Sequence, residues 1–65
     1  MVDPKVIHEL NARQGTYKKL RELLWHRQLM VEGTDEPDEH VITQNGKEVG
    51  GLHGTSGNSI IFFHC

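Results

Sequence analysis

The first half of the chain spaces its hydrophobic residues as an amphipathic α-helix does. Between Pro4 and Val31 they recur at steps of three, four and seven residues, so that one side of a helix would carry Val6, Leu10, Tyr17, Leu20, Leu24 and Val31. Asp3 can cap the first N–H groups, Pro4 suits the first helical turn, and Gly33 is typical just beyond a helix end. The pattern therefore predicts one long helix over residues 4–32.

The weak point of this predicted helix is Gly15. A glycine inside a helix costs about 1 kcal/mol relative to alanine. Its neighbours Asn11, Gln14 and Thr16 are polar and are not strong helix formers. A kink or a break near Gly15, which would leave a shorter N-terminal helix, is the alternative that the sequence leaves open.

Residues 33–39 interrupt the hydrophobic pattern with four carboxylates and Pro37. Proline and clustered charges disfavour both a helix and a central strand. We therefore expect a solvated acidic linker between the helix and the rest of the domain.

A β-hairpin signal follows the linker. The segments His40–Gln44 and Lys47–Leu52 flank Asn45 and Gly46, and this pair suits a type I′ turn because both central residues need a positive φ. A two-residue turn predicts these cross-strand partners: Gln44 with Lys47, Thr43 with Glu48, Ile42 with Val49, and Val41 with Gly50.

The last segment, Ser59–Cys65, holds a continuous apolar run and follows a glycine-rich turn at His53–Asn58. Such a run is typical of a strand covered on both faces or of an edge that another chain covers. The sequence thus predicts one α+β domain, in which the long helix packs on a three-stranded antiparallel β-meander over residues 40–65.

Composition narrows the class of protein. A domain of 65 residues buries only about 60% of the surface of its unfolded chain. A single cysteine excludes an internal disulfide framework. No run approaches the roughly 18 apolar residues of a membrane span, and no apolar segment resembles a secretory leader. We therefore expect a cytoplasmic protein that has no membrane partner.

The charges are divided unevenly along the chain. Residues 1–32 hold six Lys and Arg against four Asp and Glu, whereas residues 33–65 hold one against five. Opposite charges on two halves of a domain can attract each other, within one copy or between copies. The basic side chains Arg13, Lys18 and Arg21 would form a ridge on the helix, which makes a nucleic-acid-binding regulator an alternative function. The overall pI of about 6.2 opposes that alternative.

Four potential metal ligands lie in the predicted sheet: His40, His53, His64 and Cys65. A small zinc-binding module is therefore a second alternative, but no pair has the spacing of recognised zinc sites. His64 and Cys65 are adjacent, so a regular strand would direct them to opposite faces. The glycine-rich turn lacks the lysine of a phosphate-binding loop. We predict no metal, no cofactor and no catalytic residue.

The remaining hypothesis is a small non-enzymatic factor that acts through its surface. The second half of the predicted helix has more apolar side chains than three short strands can cover. We therefore expect a protein-binding accessory, regulatory or inhibitory factor that self-associates, for example as a homodimer. The candidate contact residues are Trp25, Leu29, Met30, Ile61 and Phe63.

Overall fold

The structure is a computed structural model that describes residues 2–64. Two short helices and five strands follow one another in this order: α1 (Pro4–Leu10), β1 (Gln14–Gly15), α2 (Tyr17–Trp25), β2 (Met30–Gly33), β3 (Glu39–Gln44), β4 (Lys47–Thr55) and β5 (Asn58–Phe63). All five strands belong to one antiparallel sheet with the order β1-β5-β4-β3-β2. β1 and β2 are therefore the two edge strands.

The prediction of one long helix on a three-stranded meander is wrong, and the first reason lies after α1. Ala12 has a φ of +65°, which ends the helical path. Its N–H donates to the Ile61 carbonyl at 2.7 Å, and the Ile61 N–H donates to the Arg13 carbonyl at 3.0 Å. These bonds draw the chain onto β5, where Gly15 pairs with Ser59. The break near Gly15 thus separates two helices by an added edge strand.

The second reason lies after α2. Gln28 has a φ of +64°. The Leu29 N–H bonds the Leu24 carbonyl and the Gln28 N–H bonds the Trp25 carbonyl, both at 2.9 Å. These are the two hydrogen bonds of a Schellman motif, which closes a helix end. The chain then turns back as β2, so Val31 lies on a strand instead of the predicted helix.

The hairpin turn is confirmed, but half of its register is not. Asn45 and Gly46 have φ values of +55° and +80°, as a type I′ turn requires. The two pairs next to the turn are as predicted: Gln44 with Lys47 and Thr43 with Glu48.

A β-bulge shifts the rest of that register by one residue. The irregularity lies between Ile42 and Thr43, so that Ile42 faces Gly50 instead of Val49, and Val41 faces Gly51 instead of Gly50. The extra residue of a bulge is left without a partner in the ladder. Here Val49 takes that place and packs against the hydrophobic core.

The other predicted boundaries also move. β4 continues to Thr55 and pairs with Asn58 of β5, so the turn between them is shorter than the predicted glycine-rich loop. Gly33 belongs to β2 and Glu39 to β3, which leaves residues 34–38 as the acidic linker. Cys65, predicted as the end of the last strand, lies outside the described residues.

The hydrophobic core lies between one face of the sheet and the two helices. Its fully buried side chains are Leu10, Leu20, Leu24, Leu29, Ile42, Leu52 and Ile61. Leu52 and Ile61 are direct cross-strand neighbours, and Leu20 and Leu24 reach the core from α2. Burying each such side chain contributes about 1.5–3 kcal/mol.

We predict that Gly46→Ala lowers the free energy of unfolding by about 1 kcal/mol, because alanine is strained at a positive φ. Gly57→Ala is the matched control. No atom lies within 4 Å of the place that a Cβ would take at either glycine, but only Gly46 has a positive φ. Urea denaturation of both variants measures the difference. Equal stabilities would contradict the turn assignment.

Candidate protein-binding groove

The five predicted contact residues divide into two groups. Leu29 is 1% exposed and Ile61 is 0% exposed, so both belong to the core. Phe63 is half-buried and packs against the same core. Trp25 and Met30 remain 66% and 53% exposed, and among residues 2–64 they are the large hydrophobic side chains that stay exposed.

Trp25 and Met30 line a single groove, of about 220 Å³, between the C-terminal part of α2 and the edge strand β2. Leu29 and Val31 contribute further apolar lining, and Arg21 contributes the charged part. The Schellman turn creates this neighbourhood, because it folds Met30 back beside the helix residue Trp25. The groove therefore exists because α2 ends inside the segment that was predicted to be one long helix.

The edge strand β2 borders this site through Met30 and Val31. β2 pairs with β3 on one side only. An edge strand presents unpaired N–H and C=O groups, which can hydrogen-bond another chain. Sequence reasoning missed this feature because it placed Val31 inside a helix; the β-branched side chain of Val31 was the available signal.

The predicted basic ridge is present only in part. Lys18 and Arg21 lie on α2, where a spacing of three and seven residues places them on the same side as Trp25. Arg13 lies between α1 and β1, outside either helix. The three cations therefore do not form one helical ridge.

The guanidinium of Arg21 is oriented by an aromatic contact. Its Cζ lies 5.9 Å from the centre of the Tyr17 ring, and the Tyr17 ring centre lies 4.7 Å from that of His40. A planar guanidinium over an aromatic ring is a favourable arrangement. Arg21 is thus held at the α2 side of the groove.

The ion pairs within the described part of the chain involve neither Lys18 nor Arg21. Arg27 pairs with Glu9, and two histidines lie close to carboxylates: His53 Nδ1 is 3.8 Å from Glu39 Oε1, and His64 Nε2 is 2.7 Å from Glu48 Oε2. The first pair lies within the first half of the chain and the other two lie within the second. The expected attraction between the two halves therefore produces no ion pair among these residues.

The predicted metal ligands lie at separate places. The His40 ring is tilted against the Tyr17 ring, whereas the rings of His53 and His64 both meet Phe62 in edge arrangements, with ring centres 4.6 and 5.9 Å from it. Within residues 2–64 no group of three or more His, Cys, Asp or Glu residues is placed to hold a metal ion. Cys65 is not among those residues, so its part in such a site stays a prediction.

Comparisons with protein-family models, with curated proteins and with solved structures found no match to this chain. Neither helix in the described range is long and apolar enough to cross a membrane. The groove must therefore be interpreted from its own geometry.

We predict that the protein purified without an affinity tag contains far less than one zinc ion per chain, because His40, His53 and His64 do not converge. Elemental analysis measures the metal content. Near-stoichiometric zinc that disappears in His53→Ala or His64→Ala would contradict this prediction and would restore the zinc-binding alternative.

Proposed function

We propose that this chain is a non-enzymatic protein-binding factor that accepts an apolar side chain of another protein in the groove between α2 and β2. The observation that carries the proposal is the meeting of the two exposed large hydrophobics, Trp25 and Met30, in one concave site. Exposed Trp and Met side chains are costly in water and typical of interfaces. Their co-location favours a binding site over scattered surface exposure.

The size and lining of the groove support a side chain as its occupant. Its volume of about 220 Å³ is below the roughly 300–1,000 Å³ of typical small-molecule pockets. Arg21 is the one charged side chain among the described residues that line it, and these residues include no histidine, carboxylate or thiol that could serve as a general acid or base. Binding is therefore a better interpretation than acid–base catalysis, and an accessory, regulatory or inhibitory role is consistent with it.

We place this factor in the cytoplasm, in line with the single cysteine of the sequence. We favour a different protein over a second copy as the partner. Leu20 and Leu24, which contributed to the expectation of self-association, are buried within the monomer. A two-fold dimer through this groove would bring together Lys18 and Arg21 of both copies, and like charges repel.

Selection from a displayed library of short peptides tests the proposal. We expect the enriched sequences to share an apolar residue, and we expect Trp25→Ala to weaken their binding about 30-fold, the effect of losing a hot-spot side chain worth about 2 kcal/mol. Lys19→Ala is the control, because Lys19 is exposed on α2 but lies away from the groove. Isothermal titration calorimetry measures both affinities.

Two outcomes would overturn the proposal. One is the absence of any enriched peptide; the other is equal binding by the wild-type chain and Trp25→Ala. Sedimentation equilibrium on the same samples identifies self-association. A dimer at micromolar concentration that dissociates in Trp25→Ala would make a second copy the occupant.

Nucleic acid is the alternative partner that the basic side chains of α2 suggest. We expect duplex DNA and single-stranded RNA to bind no more tightly than about 10⁻⁴–10⁻⁶ M at physiological salt, the range of non-specific contacts. Fluorescence anisotropy over a salt series measures this. A submicromolar complex that weakens log-linearly with salt and is lost in Lys18→Glu/Arg21→Glu would contradict the protein-partner proposal.

A further inference from the structure

We infer that the partner segment binds as an added antiparallel β-strand along β2, with an acidic side chain facing Arg21 two positions before the apolar side chain that enters the groove. This inference rests on the proposed function and specifies the chemistry of the partner. The hydrogen bonds of the sheet, the open space at Gly33 and the charges of α2 carry it.

The direction of the free backbone groups follows from one row of residues across the sheet. Ile61 faces Leu52, Leu52 faces His40, and His40 faces Gly33. The N–H and C=O of Ile61 bond to the connection before β1, so they point away from β4. In an antiparallel pair of strands, the backbone N–H and C=O groups of two opposite residues either both point toward each other or both point away.

Applied along this row, the rule gives the orientation at the edge. The backbone N–H and C=O groups of Leu52 and His40 point toward each other. Those of His40 therefore point away from Gly33, and those of Gly33 point away from β3. Val31 lies two residues earlier in the same strand and has the same orientation. The N–H and C=O groups of Val31 and Gly33 therefore lie along the free edge, where the described residues outside the sheet supply no hydrogen bond.

The side of the sheet that the added side chains would occupy is also fixed. Val31 packs against the core beneath α2, and Gly33 is on the same face because the side-chain period of a strand is two. A strand residue opposite Val31 would thus meet the apolar lining of the groove. No atom lies within 4 Å of the place that a Cβ would take at Gly33, so a residue opposite it finds open space on that face.

Cations of α2 border that space and favour an acidic side chain in it. Arg21 leans over Tyr17, and the Tyr17 ring contacts the ring of His40, which is the cross-strand neighbour of Gly33. Lys18 is on the same side of α2. No carboxylate of residues 2–64 lies within 4 Å of either cation, so a carboxylate of the partner would be their first close anion.

β2 of a second copy does not fit as the added strand. Its one acidic residue, Glu32, lies on the opposite face of the sheet, where the Thr43 hydroxyl donates to it at 2.8 Å. An antiparallel copy of β2 would therefore present no carboxylate to Arg21. A segment containing an acidic residue, any residue and then an apolar residue fits both positions.

Synthetic capped peptides that contain Asp-Thr-Leu within a threonine background test the inference with the full chain. Trp25 is the single tryptophan, so its fluorescence reports binding at the groove. We expect Asn-Thr-Leu to bind about fivefold more weakly than Asp-Thr-Leu, the effect of one exposed ion pair. Leu-Thr-Asp should bind more weakly still, because it loses the apolar side chain in the groove as well as the ion pair. In Arg21→Glu the preference should invert in favour of Lys-Thr-Leu.

Backbone methylation of the peptide separates strand addition from side-chain docking. In the proposed register the Leu N–H donates to β2, whereas the N–H of the central Thr points away. We expect N-methylation at Leu to weaken binding about tenfold and N-methylation at Thr to have little effect. Hydrogen exchange should slow at the Val31 and Gly33 amides on binding, while the Glu32 amide, which faces β3, serves as the internal control.

The outcomes distinguish this inference from the proposed function. Binding that depends on Trp25 but is equally sensitive to N-methylation at Leu and Thr, or insensitive to both, would overturn strand addition and leave the groove as an apolar docking site. Equal affinity for Asp-Thr-Leu and Asn-Thr-Leu would overturn the acidic selectivity. Failure of every peptide, together with no enrichment from the displayed library, would overturn both.

Discussion

The left-handed residue Gln28 is the constraint on which the rest of the structure depends. Its positive φ is unfavourable by about 1–2 kcal/mol for a residue with a side chain. Two hydrogen bonds close the end of α2 around it, and the next residue, Leu29, is buried in the core. Burial of one leucine contributes about 1.5–3 kcal/mol. The turn is therefore retained, and it directs the chain back as β2 beside the helix it has just left.

The parts of the fold that could be predicted are those with local causes. Asn45 and Gly46 form their turn because both tolerate a positive φ, and the first two residue pairs follow directly from that turn. The bulge beyond Thr43 has no such local signal. It brings Gly50 so close to β5 that a Cβ there would lie 2.3 Å from the Phe62 carbonyl oxygen. The register of β3 and β4 thus depends on contacts with β5, which the sequence of the hairpin alone does not reveal.

The helix ends were missed for a related reason. Glycine and asparagine are the usual residues in the left-handed position after a helix, whereas Ala12 and Gln28 take it here. Two apolar residues seven positions apart can face one core from a single helix or from two separate elements. Leu24 and Val31 have this spacing, although one lies on α2 and the other on β2. Tertiary hydrogen bonds to β5 fixed the first boundary, whereas the second was fixed by the local bonds of the Schellman motif together with the burial of Leu29 in the core. Neither the contact with β5 nor that burial is visible in local propensity.

The candidate site shows the same division between local and tertiary causes. The sequence shows that apolar side chains cluster around Trp25, but it does not show which of them are buried in the core and which remain exposed. Two added edge strands widen the sheet from three strands to five, so Leu29 and Ile61 are absorbed into the core. Trp25 and Met30 are left beside an edge that the long-helix prediction did not contain.

The charge asymmetry of the sequence gains a different meaning in the folded chain. Had the two halves neutralised each other, cations of α2 would contact the acidic linker or the sheet. Instead, Arg27 pairs within its own half, and the carboxylates Glu39 and Glu48 lie near histidines of theirs. Arg21 and Lys18, which no carboxylate of residues 2–64 approaches within 4 Å, lie along the side of α2 that borders the free edge of β2. The position of the unneutralised charge and the position of the unpaired backbone therefore coincide, which is why one partner segment can satisfy both.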